Sequence, residues 1–198
     1  MDHPLQCRCG TLKGRVAVPG SVNRGVCYCR DCQAFAHFLG EGSEILDELG
    51  GTEVIQTLPK HVRFERGVDS LACMRLTDEG LLRWYASCCH TPIGNTPPNY
   101  KLSFVGLVHS CLRAPGADLD RSFGPIRMRV NTRSAKQGPK PKQAGALPAI
   151  ARFLGQLARA RLDGSYRTTP FFDPERGTPV VKPRVLTRDE LDGILKTL

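Results

Sequence analysis

Three cysteines fall within six residues at Cys27-Tyr28-Cys29-Arg30-Asp31-Cys32. Thiolates this close repel one another unless a cation sits among them. A soft divalent metal meets that need, and zinc is the default. The C-x-C-x-x-C knot offers three ligands from one tight turn. A structural zinc takes a fourth protein ligand, whereas a zinc that does chemistry keeps that position open. A second pair, Cys7-Arg8-Cys9, is closed by Gly10, a residue free to take the positive φ that a metal-binding knuckle often needs. The third ligand-rich stretch is Ser87-Cys88-Cys89-His90-Thr91-Pro92.

Cys7 and Cys9 must find two further ligands far away in sequence. Cys89 is the better partner, with Cys88 or His90 completing the set, because adjacent cysteines on one metal strain the backbone more than a C-x-x-C pair does. Cys73 and Cys111 lie in runs that read as strand core, and His37, in an apolar helix, reads as packing. The expected metal ligands are therefore Cys7, Cys9, Cys27, Cys29, Cys32, Cys88 and Cys89, holding one or two zinc ions. The knot is left with three thiolates and an open position. Such a centre carries a charge of about −1 and is a poor acid for water. It suits one more thiolate, held deprotonated yet nucleophilic. The expected chemistry is addition of a small thiol to an electrophilic carbon, or its release, with Cys27, Cys29 and Cys32 as the ligands of the reactive metal.

The elements that must position these residues read as mostly β. Strand signals recur at residues 12–18, 53–58, 62–65, 71–76, 81–85 and 102–108, separated by turn residues such as Pro59-Lys60, Arg66-Gly67 and Pro97-Pro98-Asn99. Short strands at this spacing argue for an antiparallel β domain. A short helix after the knot, residues 33–39, packs its start beneath it. The chain has 198 residues, 40% hydrophobic and 24% charged, enough for one domain or a small domain with an extension. Its apolar runs are too short for a membrane span. The N-terminus lacks the basic start and apolar stretch of a signal peptide. Cytoplasm is the expected compartment, and its reducing conditions favour metal over disulfides for nine cysteines.

The charge is uneven. Up to Tyr100 there are 10 Lys and Arg against 11 Asp and Glu, and after it 18 against 8. From Arg121 to Arg161 there are 10 bases and no acid. The expected division is a zinc-binding β domain at 1–112 and a basic C-terminal extension at 113–198. The extension carries an amphipathic helix at about 145–162, with arginines on its wet side, and a capped terminal helix at about 188–197. Arg30, Arg127, Arg129 or Arg133 suits the carboxylates of an anionic thiol. The alternative is a non-enzymatic zinc-stabilised module using the basic half for an acidic partner or nucleic acid. Few aromatics accompany these bases, so stacking on single strands has little support.

The motif order carries a resemblance. Cys7-Arg8-Cys9-Gly10, then Cys27-Tyr28-Cys29-Arg30-Asp31-Cys32, then Cys89-His90-Thr91-Pro92 after a β stretch resembles the glutathione-dependent formaldehyde-activating enzyme family, which includes centromere protein V. The resemblance covers roughly residues 5 to 110. It implies several small, coiled antiparallel sheets of the β-tent type, pinned by one four-cysteine zinc. It also implies a second zinc on the three-cysteine motif, where glutathione and formaldehyde combine as S-hydroxymethylglutathione in a carbon–sulfur lyase activity. The family's late segment reads C-x-x-C-G-T-P. Here Ala86 stands for its first cysteine, Cys88 is new, and His90 stands for its glycine.

Overall fold

The computed structural model describes residues 2–20, 22–40, 42–136 and 138–198. Strands β1 (Asp2–Gln6), β2 (Lys13–Ala17) and β3 (Asn23–Cys27) carry the first cysteine pair and lead into the knot. Helix α1 (Arg30–Phe38) follows, then the single turn α2 (Gly42–Ile45). Six strands come next: β4 (Thr52–Thr57), β5 (Val62–Arg66), β6 (Leu71–Arg75), β7 (Leu82–Ala86), β8 (Thr91–Thr96) and β9 (Val105–Val108). The rest holds α3 (Leu119–Phe123), β10 (Met128–Val130), α4 (Ala146–Leu162), β11 (Phe172–Asp173), β12 (Thr178–Pro179), β13 (Arg184–Val185) and α5 (Arg188–Leu195).

The fold is mostly β. An eight-stranded sheet runs in the order β10-β3-β4-β9-β8-β7-β6-β13, beside a three-stranded sheet β1-β2-β5 and the β11–β12 pair. One sheet is thus larger than the small sheets expected. β1 and β2 alternate as half-buried strands do, with His3, Leu5, Gly14 and Val16 turned inward. β8 and β9 are buried along their whole length, as strands in the middle of the large sheet must be. β8 carries residues that usually break strands, and each has a reason. A Cβ at Gly94 would lie 2.8 Å from the Gly106 carbonyl oxygen of β9. Pro92 sits where the register against β7 shifts, so its missing N–H falls at a bulge. Residues 102–104, expected in a strand, come before β9 begins.

The chain after Leu112 does not form a separate extension. β10 pairs parallel with β3 and β13 parallel with β6, so both edges of the large sheet come from it. Phe171 and Phe172 also lie in the main core, their rings 5.1 and 6.2 Å from the fully buried Trp84. A β domain ending near residue 112 would lack both edges and part of its centre. Helix α5 starts at the expected capping box, Thr187 with Glu190, and packs with α1 in a second core around Met74 and Leu186.

Helix α4 corrects a second expectation. Its arginines, expected on the wet side, are exposed at Arg152, Arg159 and Arg161, but its apolar residues were all to face the body. Instead only part of the set turns inward: Ala149 and Ala160 are buried, and Phe153 stacks edge-on against Phe104 at 5.1 Å. Leu147, Ile150, Leu154 and Leu162 point outward. Arg152 reaches back to donate to Asn23 Oδ1 at 2.8 Å, and Arg161 lies over the Tyr166 ring. Among the described residues no helix is long and apolar enough to cross a membrane.

Candidate metal centres

The nine cysteines are all free thiols, and seven of them gather in two groups. Cys73 and Cys111 stay apart from both, buried in the main core as expected. Strand β1 ends directly before Cys7, and the 7–10 turn closes through Gly10 at φ +73°. The turn between β7 and β8 brings Cys88 and Cys89 to the same point. Cys7 Sγ lies 3.5 Å from Cys9 Sγ and 3.8 Å from Cys88 Sγ; Cys9 and Cys88 are 3.3 Å apart, Cys88 and Cys89 3.8 Å. Four sulfurs at tetrahedral zinc–thiolate distances stand about 3.8 Å apart. The donor set and its spacing therefore fit a closed four-thiolate site.

The fourth member is Cys88 and not His90. The two adjacent cysteines converge in the β7–β8 turn, which His90, next in sequence, leaves at a left-handed φ of +56°. Hydrogen bonds fix the site around them. The Leu12 N–H donates to Cys7 Sγ at 3.2 Å. The Thr91 hydroxyl accepts from the Arg8 N–H at 2.9 Å and lies 3.1 Å from Cys89 Sγ. The Thr11 side chain and backbone hold the exposed Cys9 thiol down to about 6, whereas partial desolvation, joined by the hydrogen bonds with Cys9 and Cys7, pushes the likewise exposed Cys88 up to about 12.

The knot forms where β3 turns into α1. Cys27 is the last residue of the strand, Cys29 caps the helix, and Cys32 lies in its first turn. The Cys32 N–H points at Cys29 Sγ at 3.4 Å. The three sulfurs lie within 4.8 Å of one another, and among the described residues no fourth Cys, His, Asp or Glu joins them. His37 stands apart, beside Lys136 and Thr197. Hydrogen bonds from Cys29, then Cys32, draw Cys27 down to about 2, while Cys27 in turn pushes Cys29 up to about 11 and Cys32 up as well. An ionised Cys27 thus opposes ionisation of its two neighbours. Three thiolates need a cation, so the knot too fits a soft metal.

The basic half supplies one wall of this site. Val130 of β10 sits in register with Cys27, and the Tyr28 N–H donates to the Val130 carbonyl at 3.1 Å. Asn131, at φ +57°, donates from Nδ2 to Cys27 Sγ at 3.4 Å. Gln33, buried in α1, donates to the carbonyls of Tyr28 and Ser134, both at 2.9 Å, and ties the knot to the loop after β10. Arg129 sits in register with Val26, one step before Cys27. Arg30 is exposed at the start of α1, and Arg127 and Arg133 are exposed on either side of β10. Asn131 and Gln33 carried no signal in the sequence, because the contacts of Asn131 with Cys27 and of Gln33 with Ser134 each span about a hundred residues.

No curated protein matches the chain. A crystal structure of a Rhodobacter sphaeroides protein is similar over 62% of this chain and 96% of its own, at 16% identity and a TM-score of 0.42. The model of DUF6151, a family of unknown function, matches residues 2–182, and the chain belongs to that family.

Proposed function

We propose that this chain is a zinc protein with two different centres, one structural and one that handles a small thiol adduct in carbon–sulfur lyase-like chemistry. The carrying observation is the knot: three mutually close thiols with no fourth protein donor among the described residues. The four-cysteine group, by contrast, is complete in itself. The motif order supports a likeness to the glutathione-dependent formaldehyde-activating enzymes. So does His90, whose left-handed backbone sits where that pattern has glycine.

Cys27, Cys29 and Cys32 would hold the reactive zinc, and Cys7, Cys9, Cys88 and Cys89 the structural one. Bound at the knot, zinc supplies a place where one further thiol sulfur is held deprotonated. The chain's own groups do the rest. The N-terminal end of α1 and the Asn131 amide direct N–H groups at the cysteine sulfurs and temper their charge. Arg30, Arg129 and Arg133 offer guanidinium forks to the carboxylates of a thiol such as glutathione. In the addition direction the sulfur forms a bond to an aldehyde carbon and the thiol proton ends on the carbonyl oxygen. The lyase direction reverses this.

Zinc analysis and X-ray absorption test the reading. The purified chain should hold two zinc ions, and Cys29→Ser should hold one. Added glutathione should raise mean sulfur coordination per zinc from about 3.5 toward 4. Two zinc ions with coordination unmoved by glutathione would leave a zinc-stabilised binding module instead.

A further inference from the structure

A cavity of about 420 Å³ lies at the end of the β3–β10 pair away from the knot. Three segments wall it: the start of β3, the chain from α3 into β10, and the first turns of α4. Bonds within the chain fix their spacing. Asn23, 4% exposed, donates from Nδ2 to the Ala149 carbonyl at 2.9 Å and accepts from Arg152 Nη1 at 2.8 Å. The Arg127 N–H donates to the Arg24 carbonyl at 3.1 Å. Gly145, at φ +69°, lets α4 begin against β10, since a Cβ there would collide with the Arg127 carbonyl. The fold therefore preforms the cavity, at a size usual for small-molecule sites.

The lining carries three arginines and no carboxylate. Arg24 is already satisfied: it is buried, pairs with Glu53 and Asp120, and donates to the Gly124 carbonyl. Arg152 commits only Nη1, to Asn23, and its Nε and Nη2 have no partner among the described residues. The exposed Arg127 side chain has no partner among them at all. Two uncompensated guanidiniums from different elements thus line one cavity, and an anion between them relieves their repulsion. Apolar wall comes from Val22, Phe123, Pro125, Met128 and Pro148. We propose that this cavity binds a small organic anion, a carboxylate or phosphate carried on an apolar body. The head takes the planar forks of Arg127 and Arg152, and the body lies along the apolar wall. A merely solvated basic face explains less, because solvated arginines need neither a concave wall nor apolar neighbours. The proposal holds whether or not the knot does chemistry.

Titration of the zinc-loaded full chain, followed by amide resonances in about 0.1 M NaCl, tests this with phenyl phosphate, benzoate, inorganic phosphate and benzyl alcohol. Phenyl phosphate or benzoate should shift the amides that line the cavity, in β3, before β10 and at the start of α4, with a Kd on the order of 1 mM for so small a probe. Inorganic phosphate lacks the apolar body and benzyl alcohol the charge, so each should bind at least about tenfold more weakly. Arg127→Ala should weaken phenyl phosphate at least about tenfold. That variant removes no side-chain hydrogen bond or ion pair within the chain, so its loss of binding is not loss of fold. Arg188→Ala, on α5, makes the same change in net charge away from the cavity and should leave binding unchanged. No binding of either anionic probe overturns the proposal, as does equal weakening by the two variants, which would reduce the effect to net charge. Shifts confined to residues 27–32 would place the anion at the knot and overturn it too. Benzyl alcohol or inorganic phosphate binding as tightly as phenyl phosphate would remove the arginines or the apolar wall from the site, and either result overturns the assigned ligand class.

Discussion

Asn131 holds its backbone at φ +57° and turns its amide onto Cys27, two roles that one substitution can separate. Asn131→Gly keeps the backbone free to take the left-handed conformation and removes the N–H donor. It should lower zinc affinity at the knot by about tenfold, as loss of a ligand's hydrogen-bond partner does, with little change in melting temperature. Competition with a chromogenic chelator would show it as one weakened ion of two. Equal affinity would leave Asn131 as a turn residue only. His90 offers the converse test at the other centre. His90→Gly should leave the zinc count unchanged and stabilise the chain by up to about 1 kcal/mol, since glycine takes φ +56° without penalty. Cys88→Ser should weaken that site. Loss of zinc from His90→Gly would make the imidazole a ligand after all. The cysteines themselves were legible because their spacing is local. The choice between Cys88 and His90 was not, because it depends on how the β7–β8 turn aims two side chains that are neighbours but one in sequence.

At the scale of elements, the three-cysteine site depends on β10 lying close against β3. Gly25 makes this approach possible: it sits in register with Met128, and a Cβ there would lie 2.7 Å from both the Cβ and the carbonyl oxygen of Met128. Gly25→Ala must push β10 outward. A destabilisation of about 1–3 kcal/mol is expected from such overpacking. Displacement of β10 also takes Val130 from Tyr28 and Asn131 from Cys27. Chelator kinetics should therefore show faster zinc release from the knot and an unchanged rate from the four-cysteine site. Equal effects on both would mean global loosening instead. Elements with local signals were readable in the sequence: β4 to β7 from their apolar runs, α5 from its capping box. β1, β3 and β8 were not, because Pro4, Gly25, Pro92 and Gly94 look like breakers until the bulge or close neighbour that needs them is known. The α4 periodicity was readable too, but periodicity gives a stripe and not its direction. Leu147 and Phe153 look alike in sequence, and only one faces the body.

The whole molecule behaves as one body, and that bears on truncation and on pH. A chain cut after Leu112 loses both edge strands of the large sheet and the two phenylalanine rings against Trp84. Burial of two such rings contributes about 3–6 kcal/mol, against a usual total of about 5–15. The shortened chain should lack near-UV circular dichroism and a cooperative melt; a sharp melt would instead mark a separable domain. The pH response follows from histidines that the fold holds neutral. Burial, then the charge of Arg113, pushes His109 below its ordinary value, and Arg24 bears on it in the same direction, while Glu53 pulls the other way. Burial, reinforced by Lys136 and Lys60, does the same to His37 and His61. Above a pH of about 6.5 these rings are neutral both folded and unfolded, and they leave stability unchanged. Below it the unfolded chain binds protons that the folded chain refuses, so stability falls as pH drops toward the depressed folded values, by at most about 1.4 kcal/mol per pH unit for each ring. At the proposed metal centres acid would also protonate the ligating thiols, which acts in the same direction. Comparison with a variant separates the two. His109→Asn leaves every cysteine in place and puts an amide where the ring approaches the Glu53 carbonyl at 3.3 Å. Urea melts at pH 7.5 and pH 5.5 should show the wild type losing more stability than His109→Asn between the two conditions. Equal losses would assign the acid sensitivity to the metal centres alone.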